Sequence, residues 1–138
     1  MKKLILILLL IPNLVMAEAY NFDLVNKLSY CGASSLAQRI WNRNADAGNQ
    51  DVANTLERGA VAYGNIAIEF GAMNSISKES VIMLNRKNNT KVSQEIKDGF
   101  FFDGESLKEK NNNCTDILKN NPTLLGMWQH YFNKQVFL

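Results

Sequence analysis

Apolar residues recur along most of the chain at intervals of three and four, the spacing of one face of an α-helix. The pattern is clearest in residues 51–72, where an apolar stripe is accompanied by many small residues. Similar stripes cover residues 21–41, 78–98, 106–118 and 122–132. No stretch alternates over a useful length with the two-residue period of a strand. The sequence therefore predicts an all-α, single-domain bundle of five or six helices.

Capping signals indicate where several of these helices begin. Ser77 suits the N-cap of the third helix, and Pro122 suits the first turn of the last. Ser106 and Glu109 have the spacing of a capping box, in which the two side chains satisfy otherwise unpaired backbone N–H groups. The polar stretch 85–90 predicts a break or bend in the third helix.

The beginning of the chain has the pattern of a cleavable export signal. Two lysines at residues 2–3 precede an unbroken apolar run at residues 4–11, and Ala17-Glu18-Ala19 supplies the small-x-small motif that signal peptidase cleaves. Cleavage is predicted after Ala19, with Ala17 as the alternative. The apolar stretch is shorter than the roughly 18 to 20 residues that cross a bilayer, which favours cleavage over a retained signal anchor.

With residues 1–19 removed as a signal peptide, residues 20–138 form the mature helical domain. We expect this domain to be periplasmic or secreted and to have no stable membrane span. Its oligomeric state does not follow from the sequence.

The chain contains two cysteines, Cys31 and Cys114. Two lone cysteines in an oxidising compartment most often pair, so we predict one disulfide that ties the first helix to the penultimate one. A reactive thiol and a metal site are the alternatives. Both are disfavoured because neither cysteine belongs to a CxxC pair and no histidine lies near either in the sequence.

Charge and motifs exclude several classes of ligand. Removing the leader takes Lys2, Lys3 and Glu18 out of 15 basic and 13 acidic residues, which leaves a net charge near +1. Nucleic-acid binding needs a more concentrated basic field, so we expect none. Because phosphate-binding glycine motifs and clustered metal ligands are also missing from the sequence, no cofactor and no metal are predicted.

Catalytic residues are not apparent in the sequence. The single histidine, His130, has no recognisable nucleophile to serve. Glu57 and Glu69 lie twelve residues apart on one predicted helix, about 18 Å at helical rise, too far for a pair of hydrolytic carboxylates. A pair between helices, such as Glu69 with Asp98, stays open.

Aromatic residues offer the best candidates for a partner contact. Phe100, Phe101 and Phe102 cannot all point inward from one helix or strand, so at least one is expected at the surface. Trp128 belongs to the aromatic-rich last third of the chain and is the fourth candidate. The alternative for the phenylalanine run is two core residues and one half-buried residue.

These features predict a small exported helical protein without enzymatic activity. We expect it to bind another envelope or secreted protein through its surface, for example as an inhibitor or immunity-type protein. A periplasmic stress chaperone is the second interpretation, and a small envelope hydrolase is the third.

Overall fold

A computed structural model describes the backbone of residues 2–45, 50–99 and 104–135, and the side chains of residues 16–41, 50–99 and 104–135. The described residues form five helices and no strand, which confirms the all-α bundle. The helices are α1 (Lys2–Ala45), α2 (Gln50–Met73), α3 (Lys78–Lys97), α4 (Gly104–Lys119) and α5 (Pro122–Lys134).

Helix α1 is the longest helix and contacts α2, α3 and α4. Helix α2 runs antiparallel to it, because Asn21 bonds Asn74 near one end of the pair and Arg39 pairs with Glu57 near the other. The short connection after α2 turns the chain back, so α3 runs parallel to α1. This connection includes Ser75 in the left-handed region, at φ 61°.

The main core lies where α1, α2 and the first half of α3 meet and extends to α4 and α5. Its completely buried side chains contribute apolar stripes from four helices. The largest of them are Val25, Leu28, Ile66, Val81 and Leu124. A second, smaller cluster of Ala33, Ala37 and Val92 fills the space between α1 and α3 further along, beside Leu107 of α4.

Small residues on α2 allow its neighbours to approach closely. A Cβ atom on Gly59 would lie 3.2 Å from the Ser35 hydroxyl oxygen of α1, and one on Gly71 would lie 3.2 Å from a methyl carbon of Val81. Both contacts are tighter than ordinary side-chain packing. Gly59 and Gly71 therefore serve helix packing, as close-packed interiors require.

The predicted disulfide is present and joins α1 to α4. The Cα atoms of Cys31 and Cys114 are 5.7 Å apart, and both residues are buried. Helix α5 then packs against α2, where Trp128 lies between Tyr63 and Phe132.

Two of the predicted helix ends are confirmed. The Ser77 hydroxyl accepts a hydrogen bond from the backbone N–H of Ser80 at 3.2 Å, as an N-cap does. Asn121 caps α5 in the same way through Leu124, and Pro122 occupies the first turn.

Three local predictions were wrong. Helix α3 runs without a break through residues 85–90, because Asn88 and Asn85 make hydrogen bonds to α1 rather than to their own backbone. Ser106 lies inside α4, which already begins at Gly104, and so does not cap it. The first helix extends back to Lys2 instead of opening near Asn21, since the apolar leader consists largely of good helix formers.

Among the described residues, no helix combines the length with the apolar character that crossing a membrane requires.

Candidate binding cleft between α3 and α4

Helices α3 and α4 both flank α1 but do not pack against each other. No Cα atom of one lies within 8 Å of a Cα atom of the other. The space between them is a cleft of about 680 Å³ whose floor is α1. Its polar lining is drawn from all three helices and includes Tyr20, Asp23, Lys27, Tyr30, Asn88, Lys91, Glu95, Lys110, Asn113, Asp116 and Asn120.

Helix α4 is fastened to α1 at the edge of this cleft. The Cys31–Cys114 disulfide lies in the cleft wall, and the side-chain amides of Gln38 and Asn111 exchange hydrogen bonds of 2.9 and 3.3 Å. Along α4 from Asn111 to Cys114, the partner on α1 moves back from Gln38 to Cys31. The two helices are therefore antiparallel, and later residues of α4 approach the beginning of the domain.

Tyr30 connects the two walls at one end of the cleft. Its hydroxyl donates to a Glu95 carboxylate oxygen of α3 at 2.7 Å and accepts from the Lys110 ammonium of α4 at 2.7 Å. Lys110 also lies 3.3 Å from the same Glu95 oxygen, and both charged side chains are largely buried. We call these three residues the Tyr30 network.

The electrostatics of the Tyr30 network keep the phenol protonated. Burial raises the pKa of Tyr30 far above its ordinary value, and the hydrogen bond to Glu95 and the charge of that carboxylate raise it further. Tyr30 is therefore a neutral hydrogen-bond donor at physiological pH and not a nucleophile. The Tyr30 hydroxyl and the Lys110 ammonium both bind the Glu95 carboxylate.

Further charges line the cleft on either side of this network. The Lys91 ammonium lies 4.9 Å from the centre of the Tyr30 ring, close enough for a cation–π contact. Lys27 and Asp23, one turn apart on α1, pair at 2.6 Å on the exposed floor. Asp116 of α4 also lines the cleft and is exposed.

The partner-contact candidates from the sequence have different positions. Trp128 is half-buried against the core, stacked on Phe132 with ring centres 4.6 Å apart. Its indole N–H is buried and has no hydrogen-bond partner among the described residues. Phe100, Phe101 and Phe102 lie outside the described residues, so a surface role for these four residues stays a prediction.

The catalytic and metal candidates are not brought together. His130 is exposed on α5, with its ring edge against Tyr131. Glu69 accepts a hydrogen bond from the Tyr131 hydroxyl at 2.5 Å, and Asp98 accepts one from Gln94 at 2.9 Å, so each carboxylate has its own partner. Within residues 2–45, 50–99 and 104–135, no three potential metal ligands are grouped.

Sequence reasoning missed the Tyr30 network. Its members are separated by 65 and 15 positions along the chain, and each belongs to a residue type common on helix surfaces. Only the helix arrangement brings them together, and no local spacing could have shown it.

No family of known proteins matches the chain, and neither curated proteins nor solved structures include a significant match.

Proposed function

We propose that this chain is an exported, non-enzymatic binding protein that recognises another envelope or secreted protein through the cleft between α3 and α4. An inhibitor or immunity-type role is the form of this function that we favour. The observation that carries the proposal is the cleft itself: two helices of a small bundle stand apart over α1, and most of the side chains that line the space between them are polar.

The lining of the cleft suits a protein ligand. Exposed side-chain amides, which both donate and accept hydrogen bonds, line one wall at Asn113 of α4 and at Asn120 just after this helix. Peptide backbone presents donors and acceptors in the same mixed pattern. The charges that line the cleft are of both signs, which disfavours a polyanion such as nucleic acid.

The absence of enzymatic activity is part of the proposal and is supported by the chemistry of the Tyr30 network. A phenol with a strongly raised pKa is a poor nucleophile and a poor general base. The Glu95 carboxylate is already bound by the Lys110 ammonium and the Tyr30 hydroxyl, both of them groups of the protein itself. We therefore assign these groups to structure and recognition.

Export to the periplasm or beyond is supported by two independent features. Residues 1–19 carry the signal-peptide pattern, and the described part of the chain contains a disulfide and no free cysteine. Disulfides persist in oxidising compartments.

The test is a capture experiment with a matched pair of variants. The oxidised, exported protein, tagged at its C-terminus, is incubated with periplasmic and secreted extracts, and retained proteins are identified by mass spectrometry. Lys91→Glu reverses a charge on the cleft wall. Lys87→Glu makes the same change one turn earlier on α3, at an exposed residue outside the cleft lining.

One dominant partner that is lost with Lys91→Glu and kept with Lys87→Glu is the expected result. Equal retention by both variants would place recognition elsewhere. A broad set of unrelated clients, captured only after acid treatment, would instead identify a chaperone.

A further inference from the structure

Helix α4 is attached to the rest of the bundle by few contacts. Two of its 16 residues, Cys114 and Leu118, are buried. In the described part of the chain, none of its Cα atoms lies within 8 Å of a Cα atom of α2 or α3. Its noncovalent links to α1 include the exposed amide pair of Gln38 and Asn111. The disulfide is therefore a covalent bond within a sparsely packed contact.

The sequence of α4 contributes little to keeping this helix formed. Isolated helices of about 15 residues are marginal in water even when they are rich in alanine. Helix α4 contains three consecutive asparagines, residues 111–113, and asparagine has a low helix propensity. The helical state of α4 therefore depends on its attachment to the bundle.

The two helices that flank α4 along the chain are anchored without it. Helix α3 is joined to α1 by the buried hydrogen bond between Asn88 and Ser29. Helix α5 is capped by Asn121 and packs on α2, where the rings of Trp128 and Tyr63 lie 5.9 Å apart. Helices α1, α2, α3 and α5 therefore keep their mutual contacts when α4 is removed.

The disulfide borders the cleft between α3 and α4. Cys31 and Cys114 are only 2% and 8% exposed, but both line this cleft. A small thiol that enters the cleft therefore arrives beside the bond.

We propose that the Cys31–Cys114 disulfide is a redox-operated latch that holds α4 against α1. A dithiol attacks one sulfur of the bond as a thiolate, and the other sulfur leaves as a thiolate that takes up a proton. The second thiol of the reagent then closes its own disulfide and frees the first cysteine as a thiol. The dithiol loses two electrons, and the protein gains two cysteine thiols.

Reduction then releases α4 from α1 while the other four helices stay together. The cleft loses one of its walls, and the apolar surface that Leu107 and Leu118 cover is uncovered. Reoxidation closes the latch again. This inference goes beyond the proposed binding function and does not rest on it, because its readout is the state of α4.

Amide hydrogen exchange followed by NMR tests the release. The oxidised, exported protein is compared with the same protein in dithiothreitol at pH 7. After reduction, the protection factors of residues 110–119 should fall below about ten, while core residues such as Leu28, Ile66 and Val81 stay protected more than about a hundredfold. Loss of protection in all helices together would show that the disulfide staples the whole bundle. Protection of α4 equal to that of the core would show that its other contacts hold it, and either result would overturn the latch.

Two variants serve as controls for the exchange experiment. The double variant Cys31→Ser, Cys114→Ser should reproduce the exchange pattern of the reduced protein and should not respond to dithiothreitol. Asn111→Ala removes a hydrogen bond between α4 and α1 but leaves the disulfide. In its oxidised form, the protection of α4 should stay within about threefold of the parent protein.

A latch must also operate in the folded protein. Dithiothreitol without denaturant should yield two titratable thiols, and reoxidation should restore the protection of α4. A bond that opens only in urea would show that the cleft gives no access to it, and the latch would be wrong even if the double-serine variant releases α4.

The outcomes also separate this inference from the proposed function. If capture yields a partner that depends on Lys91 but α4 stays attached after reduction, the binding function stands and the latch is wrong. If reduction releases α4 as described but no protein partner is captured, the latch stands and the protein-binding function is wrong.

Discussion

Asn88 of α3 donates its side-chain amide to the hydroxyl oxygen of Ser29 on α1 at 3.0 Å, and both residues are buried. The same amide reaches the backbone and side-chain oxygens of Asn26 at 3.2 and 3.1 Å, while Ser29 is also bonded to Asn85. This small polar cluster lies between two helices in a core that is otherwise largely apolar. Its hydrogen bonds satisfy polar groups that are buried where α1 and α3 meet.

Replacing Asn88 by alanine should therefore destabilise the bundle. The substitution leaves the Asn26 and Ser29 oxygens without the donor they share in a buried site, which costs about 1–3 kcal/mol. Urea unfolding followed by circular dichroism measures the change. Asn89→Ala on the same helix removes an exposed amide and should stay within about 0.5 kcal/mol of the parent protein. Equal effects of the two substitutions would contradict a structural role for the cluster.

The Cys31–Cys114 disulfide should contribute a large part of the stability. It spans 83 positions, and the chain-entropy relation for such a loop gives about 4.5 kcal/mol as an upper figure, since any strain in the folded state subtracts from it. Reduction of the protein, or replacement of both cysteines by serine, should lower the free energy of unfolding toward that amount. Reductant added to the double-serine variant is the control and should have no further effect. A loss below about 1 kcal/mol would show that α4 is held by its other contacts alone.

Two glycines of α2 should respond to alanine in opposite directions. A Cβ on Gly64 meets nothing within 4 Å, so Gly64→Ala should stabilise the helix by about 0.5–1 kcal/mol through backbone entropy and helix propensity. A Cβ on Gly71 would press on Val81, which is completely buried and cannot move aside. Gly71→Ala should therefore lower stability by about 1 kcal/mol despite the same gain in propensity. Thermal unfolding of the two variants side by side tests the prediction, and a gain in both would contradict the close approach at Gly71.

The free energy of unfolding should decline in alkaline solution because buried tyrosines resist deprotonation in the folded protein. Burial raises the pKa of Tyr63 from 10.0 to about 12, and burial together with the Glu69 carboxylate raises the pKa of Tyr131 to about 12. The folded protein holds these protons more tightly than the unfolded chain. The stability that these two protonated tyrosines contribute is therefore complete below pH 10 and is lost as the pH rises toward 12.

For Tyr63, this loss amounts to roughly 2–3 kcal/mol across that range. Urea unfolding at pH 9, 10 and 11 should show a steeper decline for the parent protein than for Tyr63→Phe, which keeps the ring. All other titratable groups are common to both proteins, so their effects cancel in the comparison. Parallel declines would mean that the Tyr63 hydroxyl is accessible to solvent.

The recognition of helices from sequence succeeded where short-range chemistry decides the structure. Ser77 was identified as a helix start because a capping side chain bonds a backbone group only three residues away, and Pro122 because its ring suits the first turn. The same reasoning was wrong for residues 85–90, where asparagines usually favour turns. There the hydrogen bonds go to α1, some sixty residues away in sequence, and stabilise the helix instead.

Periodicity, capping and cysteine count determined the all-α class, the approximate limits of the later helices and the pairing of Cys31 with Cys114. Each of these depends on neighbours along the chain or on a pairing with one possible solution. Tertiary structure alone decided that α3 and α4 stand apart over α1 and that Tyr30 lies between Glu95 and Lys110. Those features depend on the crossing and relative direction of three helices. A helical stripe records which face is buried, but it does not record which other helix covers that face.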